Sequence, residues 1–285
     1  MCFLYRLYQL FVALPVLFIA TILTCLVTII GCTIGRATFW GYWPAHIWGR
    51  LMCQVMLLPV HVEGREQLDS QQSYVFVANH QGPYDIFLVY GFLNRHFRWM
   101  MKKQLRKLPL VGKACESGGH IFVDKSGPKS IQRTYDHARR VLRGGISLVV
   151  FPEGARTFTG HMGIFRRGAF QLADELQLPV VPVTIDGTFD VLPRQKGFNF
   201  LQWHPLRLVI HKPIQQPGQG PEAIKQVMAE SYTTIMQALP KEYQGFVENP
   251  DQCFSLSITL CLKRFPTSNG DTFCMHGASL SVLQK

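Results

Sequence analysis

The chain has 285 residues, of which 47% are hydrophobic and 16% charged. That composition excludes an intrinsically disordered chain and argues against an ordinary cytosolic globule, in which about a quarter of residues are charged. Twenty-nine Lys and Arg against eighteen Asp and Glu leave a net charge of +11, which points to a polyanionic partner: nucleic acid, an anionic membrane face or a phosphate-bearing substrate.

Residues 1–59 read as a membrane anchor with interfacial helices. Residues 7–35 carry no charge at all. As a helix this run is about 43 Å long, against roughly 30 Å of bilayer hydrocarbon, which suits one tilted span or a helix kinked near Pro15. No small-residue cleavage site follows cleanly, so the segment reads as a retained anchor and not as a signal peptide. Residues 39–60 form a second apolar segment with Trp40, Tyr42, Trp43 and Trp48, plus His46 and Arg50. Aromatic rings of this kind favour the headgroup level, and Arg50 makes a full span costly. A helix lying in the interface, or a re-entrant helical hairpin, is expected there.

From residue 60 to 248 short β-rich runs alternate with longer helical stretches. Strands are predicted at 60–63, 74–78, 97–101, 120–124, 147–151, 180–185 and 206–211, and helices near 83–94, 129–143, 166–177 and 221–238. The alternation predicts an α/β domain with a central, mostly parallel sheet flanked by helices. Residues 95–143 hold thirteen basic and three acidic residues, so almost the whole charge excess lies there. Residues 249–285, rich in Ser, Thr and Gly with a short apolar patch at 253–262, read as a weakly ordered tail. The eight cysteines form no C-x-x-C pair and suggest neither a disulfide framework nor a zinc site.

Two constellations carry chemistry. In Asn79-His80-Gln81-Gly82-Pro83-Tyr84-Asp85 a buried strand ends in Asn-His, a Gly-Pro turn follows and a helix begins. Pro83 suits the first helical turn, and Asp85 falls where the helix N-terminus favours an ionised carboxylate. An ionised Asp beside a His fixes its tautomer and stabilises the imidazolium, which makes a base and its orienter. In Phe151-Pro152-Glu153-Gly154-Ala155-Arg156 a second buried strand ends in a charged turn. Ligands of open α/β sheets bind at this edge; Gly154 permits close backbone approach and Arg156 offers a fork matched to a phosphate.

Together these blocks resemble the glycerolipid acyltransferase family, which includes the 1-acyl-sn-glycerol-3-phosphate (lysophosphatidic acid) acyltransferases. The family order of N-H-x-x-x-x-D, G-x-x-F-[IV]-x-R, F-P-E-G-T-R and a V-P-V strand is met by Asn79-His80…Asp85, Gly119–Lys125, Phe151–Arg156 and Val181-Pro182-Val183. Lys102-Lys103-Gln104-Leu105, Pro109-Leu110-Val111-Gly112 and Arg167-Gly168-Ala169-Phe170 are similar to flanking pieces, and the likeness covers about residues 55–215. Lys125 stands where the family usually has Arg, and Ala155 where it usually has Thr. Lys keeps the charge but loses the bidentate fork.

The resemblance implies transfer of a fatty acyl group from a thioester to the free hydroxyl of 1-acyl-glycerol-3-phosphate, giving phosphatidic acid for phospholipid biosynthesis. His80 is then the general base, Asp85 its orienter, and no acyl-enzyme forms. Glu153, Gly154, Arg156 and Lys125 are expected around the acceptor phosphate, Glu153 on a glycerol hydroxyl or a basic residue. Lys102 and Lys103 are expected at the donor's phosphates or the membrane. The donor is acyl-coenzyme A or acyl carrier protein, the other partners are membrane lipids and not nucleic acid, and neither metal nor cofactor is expected. The catalytic domain is expected to face the cytoplasm. Other acceptors of the superfamily (glycerol-3-phosphate, another lysophospholipid, a lyso-aminolipid) fit the same blocks. A hydrolase lacks a G-x-S-x-G elbow here, and a non-enzymatic binder of anionic lipid or nucleic acid lacks a nucleic-acid module.

Overall fold

Each buried strand of the chain is a run of β-branched and aromatic residues, and its alternate side chains face opposite layers. In the computed structural model, which describes residues 2–124, 126–195 and 197–246, seven such strands form one sheet. They are β1 (Val60–Glu63), β2 (Val75–Ala78), β3 (Phe97–Lys102), β4 (Ile121–Val123), β5 (Ser147–Val150), β6 (Val180–Asp186) and β7 (Leu206–Ile210). Lys125 and the tail from 249 lie outside the described residues.

The strand order is β1-β7-β6-β2-β5-β3-β4. The five strands from β6 to β4 are mutually parallel, while β7 runs antiparallel to β6 and carries β1 parallel beside it. The sheet is therefore mostly parallel, as expected. The parallel strands all end at one edge, and the loops that leave that edge follow residues 78, 102, 123, 150 and 186.

Helices α1 (Cys2–Tyr8) and α2 (Leu14–Ile34), joined by a π-helical turn at Gln9–Ala13, make one long apolar rod. After Gly35 the chain turns through α3 (Ala37–Trp40) into α4 (Trp43–Val55). The result is a helical hairpin whose arms are α2 and α4. Trp48 Nε1 donates to Thr21 Oγ1 across it at 3.0 Å. Helix α4 packs on α5 (Tyr84–Phe92) of the sheet layer. Helix α2 also touches α6 (Val111–Ser117), a short helix the periodicity did not predict.

The remaining helices are α7 (Pro128–Val141), α8 (Gly168–Leu176), α9 (Thr188–Val191) and α10 (Pro221–Ala238). Along β2, Phe76 and Ala78 join the core beneath α4 and α5, with Cys53, Met56 and Leu88. Val75 and Val77 point the other way, into a core with Ala138 of α7, Phe170 of α8 and Ile235 of α10. The sheet is covered on both faces, which accounts for the unbroken apolar runs of β2 and β5.

Candidate active site

The site starts where β2 ends. Asn79 is fully buried and extends the β2–β6 ladder with its side chain: Nδ2 donates to Ile185 O at 2.7 Å, and Ile185 N donates to Oδ1 at 2.8 Å. This tie fixes the exit of the strand, so the next residue, His80, emerges at the sheet edge. The turn through Gly82 and Pro83 then starts α5, and Asp85 sits in its first turn, fully buried.

His80 Nδ1 lies 2.6 Å from Asp85 Oδ2. Gly82 N donates to the same oxygen at 3.0 Å, and Thr188 Oγ1 donates to Asp85 Oδ1. A carboxylate with these donors accepts the proton carried on Nδ1, which leaves Nε2 as the lone-pair nitrogen of the ring. The ring lies flat on Phe151, with centroids 3.9 Å apart and 6° between planes. His80 is thus held on one edge by hydrogen bonds and on one face by an aromatic ring.

Glu153 occupies a different place from the one its motif suggested. Its Oε1 accepts the backbone N–H of His80 and its Oε2 that of Gly163, each at 2.7 Å. Both oxygens are engaged by the protein's own amides, so Glu153 braces the main chain at His80. Burial pushes its carboxyl up to about 8, with the amides of Gly163 and His80 acting in the opposite sense. Gly154 has φ +75°, where a side chain is strained, and a Cβ would stand 3.2 Å from the Arg166 guanidinium. The turn therefore needs glycine to carry Arg156 past the brace.

Thr157 N donates to His80 O at 2.9 Å, which brings the backbone at Arg156 alongside His80. Arg156 is half-buried and lines a cavity of about 440 Å³ with Tyr84, the neighbour of Asp85. Burial, with the neighbouring Arg194 charge, pulls its guanidinium below the ordinary value. The rest of the wall is mainly apolar and comes from α1–α2 and from residues 192–201.

The two lysines of β3 and its exit lie elsewhere along the same edge. Lys102 is exposed, and Lys103 Nζ pairs with Asp124 Oδ2 at 2.6 Å. Strand β5 separates them from β2. Lys103 lines a second hollow, of about 340 Å³, with Arg106, Asp124 and Arg133. The structure thus gathers His80, Asp85, Glu153 and Gly154 in one cluster with Arg156 at its rim, and sets Lys102 and Lys103 apart. His120, in the second sequence block, is buried and structural: its Nδ1 accepts the N–H of Trp99 at 3.1 Å and its Nε2 meets Tyr90 Oη at 2.8 Å.

Thr188 and Arg194 were not singled out from the sequence. No spacing marks Thr188, which lies 103 residues beyond Asp85. Its available signal is positional: it follows a strand that ends beside β2 at the ligand-binding edge. Arg194 lies in a coil and has no such signal.

Residues 59–186 match the family model described as acyltransferase. Over 173 residues the chain is 31% identical to the chloroplastic 1-acyl-sn-glycerol-3-phosphate acyltransferase LPAT1 of Arabidopsis thaliana, covering 59% of this chain and 48% of that one. It is 27% identical over 203 residues to the 1-acyl-sn-glycerol-3-phosphate acyltransferase of Cocos nucifera, covering 71% of this chain and 65% of the relative. The chain thus spans about half to two thirds of the length of these relatives. Among solved structures, the 1-acyl-sn-glycerophosphate (LPA) acyltransferase PlsC from Thermotoga maritima has a similar fold, with TM-score 0.64, 24% identity and coverage of 82% of this chain and 95% of that one. Residues 59–186, which hold β1 to β6 and the loops that carry His80 and Arg156, are thus similar to the acyltransferase family, and the blocks they carry follow that family's order.

Proposed function

We propose that the protein is an O-acyltransferase that moves a fatty acyl group from a thioester to the free hydroxyl of 1-acyl-glycerol-3-phosphate. The observation that carries this reading is the buried Asp85 carboxylate paired with the His80 imidazole, close to an arginine that lines a largely apolar cavity. His80 Nε2 takes the proton of the acceptor hydroxyl as its oxygen attacks the thioester carbonyl. Asp85 stabilises the imidazolium so formed. The tetrahedral intermediate collapses with loss of the thiolate, which takes the proton back from His80. An ester and a free thiol result, and the balance requires no metal, no cofactor and no acyl-enzyme. Arg156 faces the acceptor phosphate in this scheme. The donor thioester is carried by coenzyme A or acyl carrier protein.

The N-terminal hairpin suits a lipid substrate. The most apolar 18 residues of the rod have a mean hydropathy of 2.7, and only 11% of them are buried, so it is no core helix. Its first turns are fastened to the end of the hairpin and to the domain. Tyr5 and Tyr8 donate to the carbonyls of Met56 and Val55, and the Gln9 amide makes two hydrogen bonds with Leu201. With α2 lying on α4 and α6, the rod is docked along its length and presents Phe11, Phe18, Ile30 and Ile34 outward. This favours a hairpin lying in one leaflet over a helix that crosses the bilayer. The cavity opens beside that apolar face, with the catalytic layer toward the cytoplasm.

The test is an assay of the purified full-length chain with 1-acyl-glycerol-3-phosphate and each donor, read by mass spectrometry of products. Phosphatidic acid and free thiol are expected in equal amounts, with His80→Ala below a tenth of the wild-type rate. Retention of more than that tenth removes His80 as the base, and a covalent acyl adduct removes direct attack.

A further inference from the structure

Two guanidinium groups, not one, line the cavity beside the catalytic pair. Arg194 Nη1 donates to the carbonyl oxygen of Arg156 at 2.8 Å, and its guanidinium carbon stands 3.8 Å from the centroid of the Phe158 ring. These contacts place Arg194 without a carboxylate: among the described residues neither it nor Arg156 forms a salt bridge. The wall that faces them is largely apolar and includes Leu10, Leu14, Met56, Leu192, Phe198 and Leu201. Two adjacent cations on a mainly apolar wall repel one another and are poorly solvated until an anion sits between them.

This arrangement specifies its ligand. The apolar wall suits a hydrocarbon chain, and the paired cations suit a headgroup that carries more than one charge. A phosphomonoester bears about −1.5 to −2 at neutral pH and three terminal oxygens, enough to engage two planar forks at once. A phosphodiester bears a single charge and offers two free oxygens. We infer that Arg194 is a specificity-determining residue, which joins Arg156 in clasping a terminal phosphomonoester and so selects 1-acyl-glycerol-3-phosphate over lysolipids with a phosphodiester headgroup. The inference rests on the acyltransferase reading above for the identity of the amphiphile.

The test compares two acceptors with the same acyl chain, 1-acyl-glycerol-3-phosphate and 1-acyl-glycerol-3-phosphoglycerol, in Arg194→Ala and Arg194→Lys. Binding is measured by calorimetry on the full chain carrying His80→Ala, without donor, so that no turnover intervenes. Arg194→Ala is expected to raise the Kd of the phosphomonoester about ten-fold, the loss of one charge-assisted contact, and that of the phosphodiester at least about five-fold less. Arg194→Lys, which keeps the charge and the stem, is expected between wild type and Ala, and it serves where the Ala variant does not fold. Equal weakening of both lipids, or unchanged phosphomonoester binding, overturns the inference. A wild-type chain that binds with this discrimination but transfers no acyl group overturns the catalytic reading instead and leaves Arg194 in its role.

Discussion

Thr188 and Glu153 hold the His80–Asp85 pair in place, one through the Asp85 carboxylate and the other through the His80 backbone. Asp85 is fully buried, and its Oδ1 has Thr188 as donor while Oδ2 serves His80 and Gly82. Thr188→Val keeps the shape and removes the hydroxyl, so a buried carboxylate oxygen loses its partner, at a cost of about 1–3 kcal/mol. Part of that cost falls on the orientation of His80. We expect kcat to fall about ten-fold with the acceptor KM little changed, and Thr188→Ser to restore most of the rate. Steady-state kinetics over both substrates decide it, and a loss confined to KM removes the positioning role. Glu153→Gln tests the brace at His80. A carboxyl group, ionised or protonated, has an acceptor lone pair on each oxygen for the amides of His80 and Gly163, whereas a carboxamide has one acceptor oxygen and turns an NH2 group against the other N–H. One buried amide is left unpaired, so we expect a stability loss of about 1–3 kcal/mol, read from thermal melting. A lower rate should accompany it, because the unpaired amide is either that of His80 or that of the loop beside it.

The elements that present these residues differ in how far the sequence disclosed them. β2 and β5 are runs such as Val75–Ala78 and Ser147–Val150, buried on both faces, and such runs read directly as central strands. The His80–Asp85 pair was equally legible, because a strand, a Gly-Pro turn and a helix start fix both residues within one local motif. What escaped were features made by tertiary contact. α6 is only seven residues long, too short for a period to declare itself. The brace by Glu153 depends on the backbone amide of a residue 73 positions away. The crossing of α4 on α5 also belongs to this class. A Cβ on Gly49 would stand 2.7 Å from Gly91 N and Phe87 O, and one on Gly91 would stand 2.7 Å from Arg50 N. The two backbones meet with no room for side chains, so each glycine serves the other's helix. Gly49→Ala must push the helices apart, and overpacking of this kind costs about 1–3 kcal/mol. Because α5 carries Asp85 in its first turn, we expect a lower melting temperature together with a reduced kcat. Unchanged melting with full activity shows that the hairpin and the sheet layer are not rigidly joined there.

At the scale of the whole molecule the charge and the apolar surface lie on one chain but do separate work. The thirteen basic residues between 95 and 143 belong mainly to β3, α6, α7 and the turns between them, and part of that charge is already paired, as Lys103 with Asp124 and Arg139 with Asp136 and Glu175. The two arginines that line the cavity, Arg156 and Arg194, lie outside that stretch. The apolar surplus is concentrated in the hairpin, whose docking decides how the protein sits in a bilayer. A spanning helix places the N-terminus and the catalytic domain on opposite sides of the membrane. The docked rod places them together, because Tyr5 and Tyr8 bond to Met56 and Val55, at the end of the hairpin that leads into β1, and Gln9 bonds to Leu201 of the domain. An epitope tag at the N-terminus, in sealed vesicles with the catalytic domain outward, should therefore be cleaved by added protease without detergent. The protein should also resist extraction by high salt, which weakens only the electrostatic part of its attachment, and yield to detergent. Protection of the tag until the vesicles are opened means that the rod crosses the bilayer, and then the contacts of Tyr5 and Gln9 cannot exist in the membrane-bound protein.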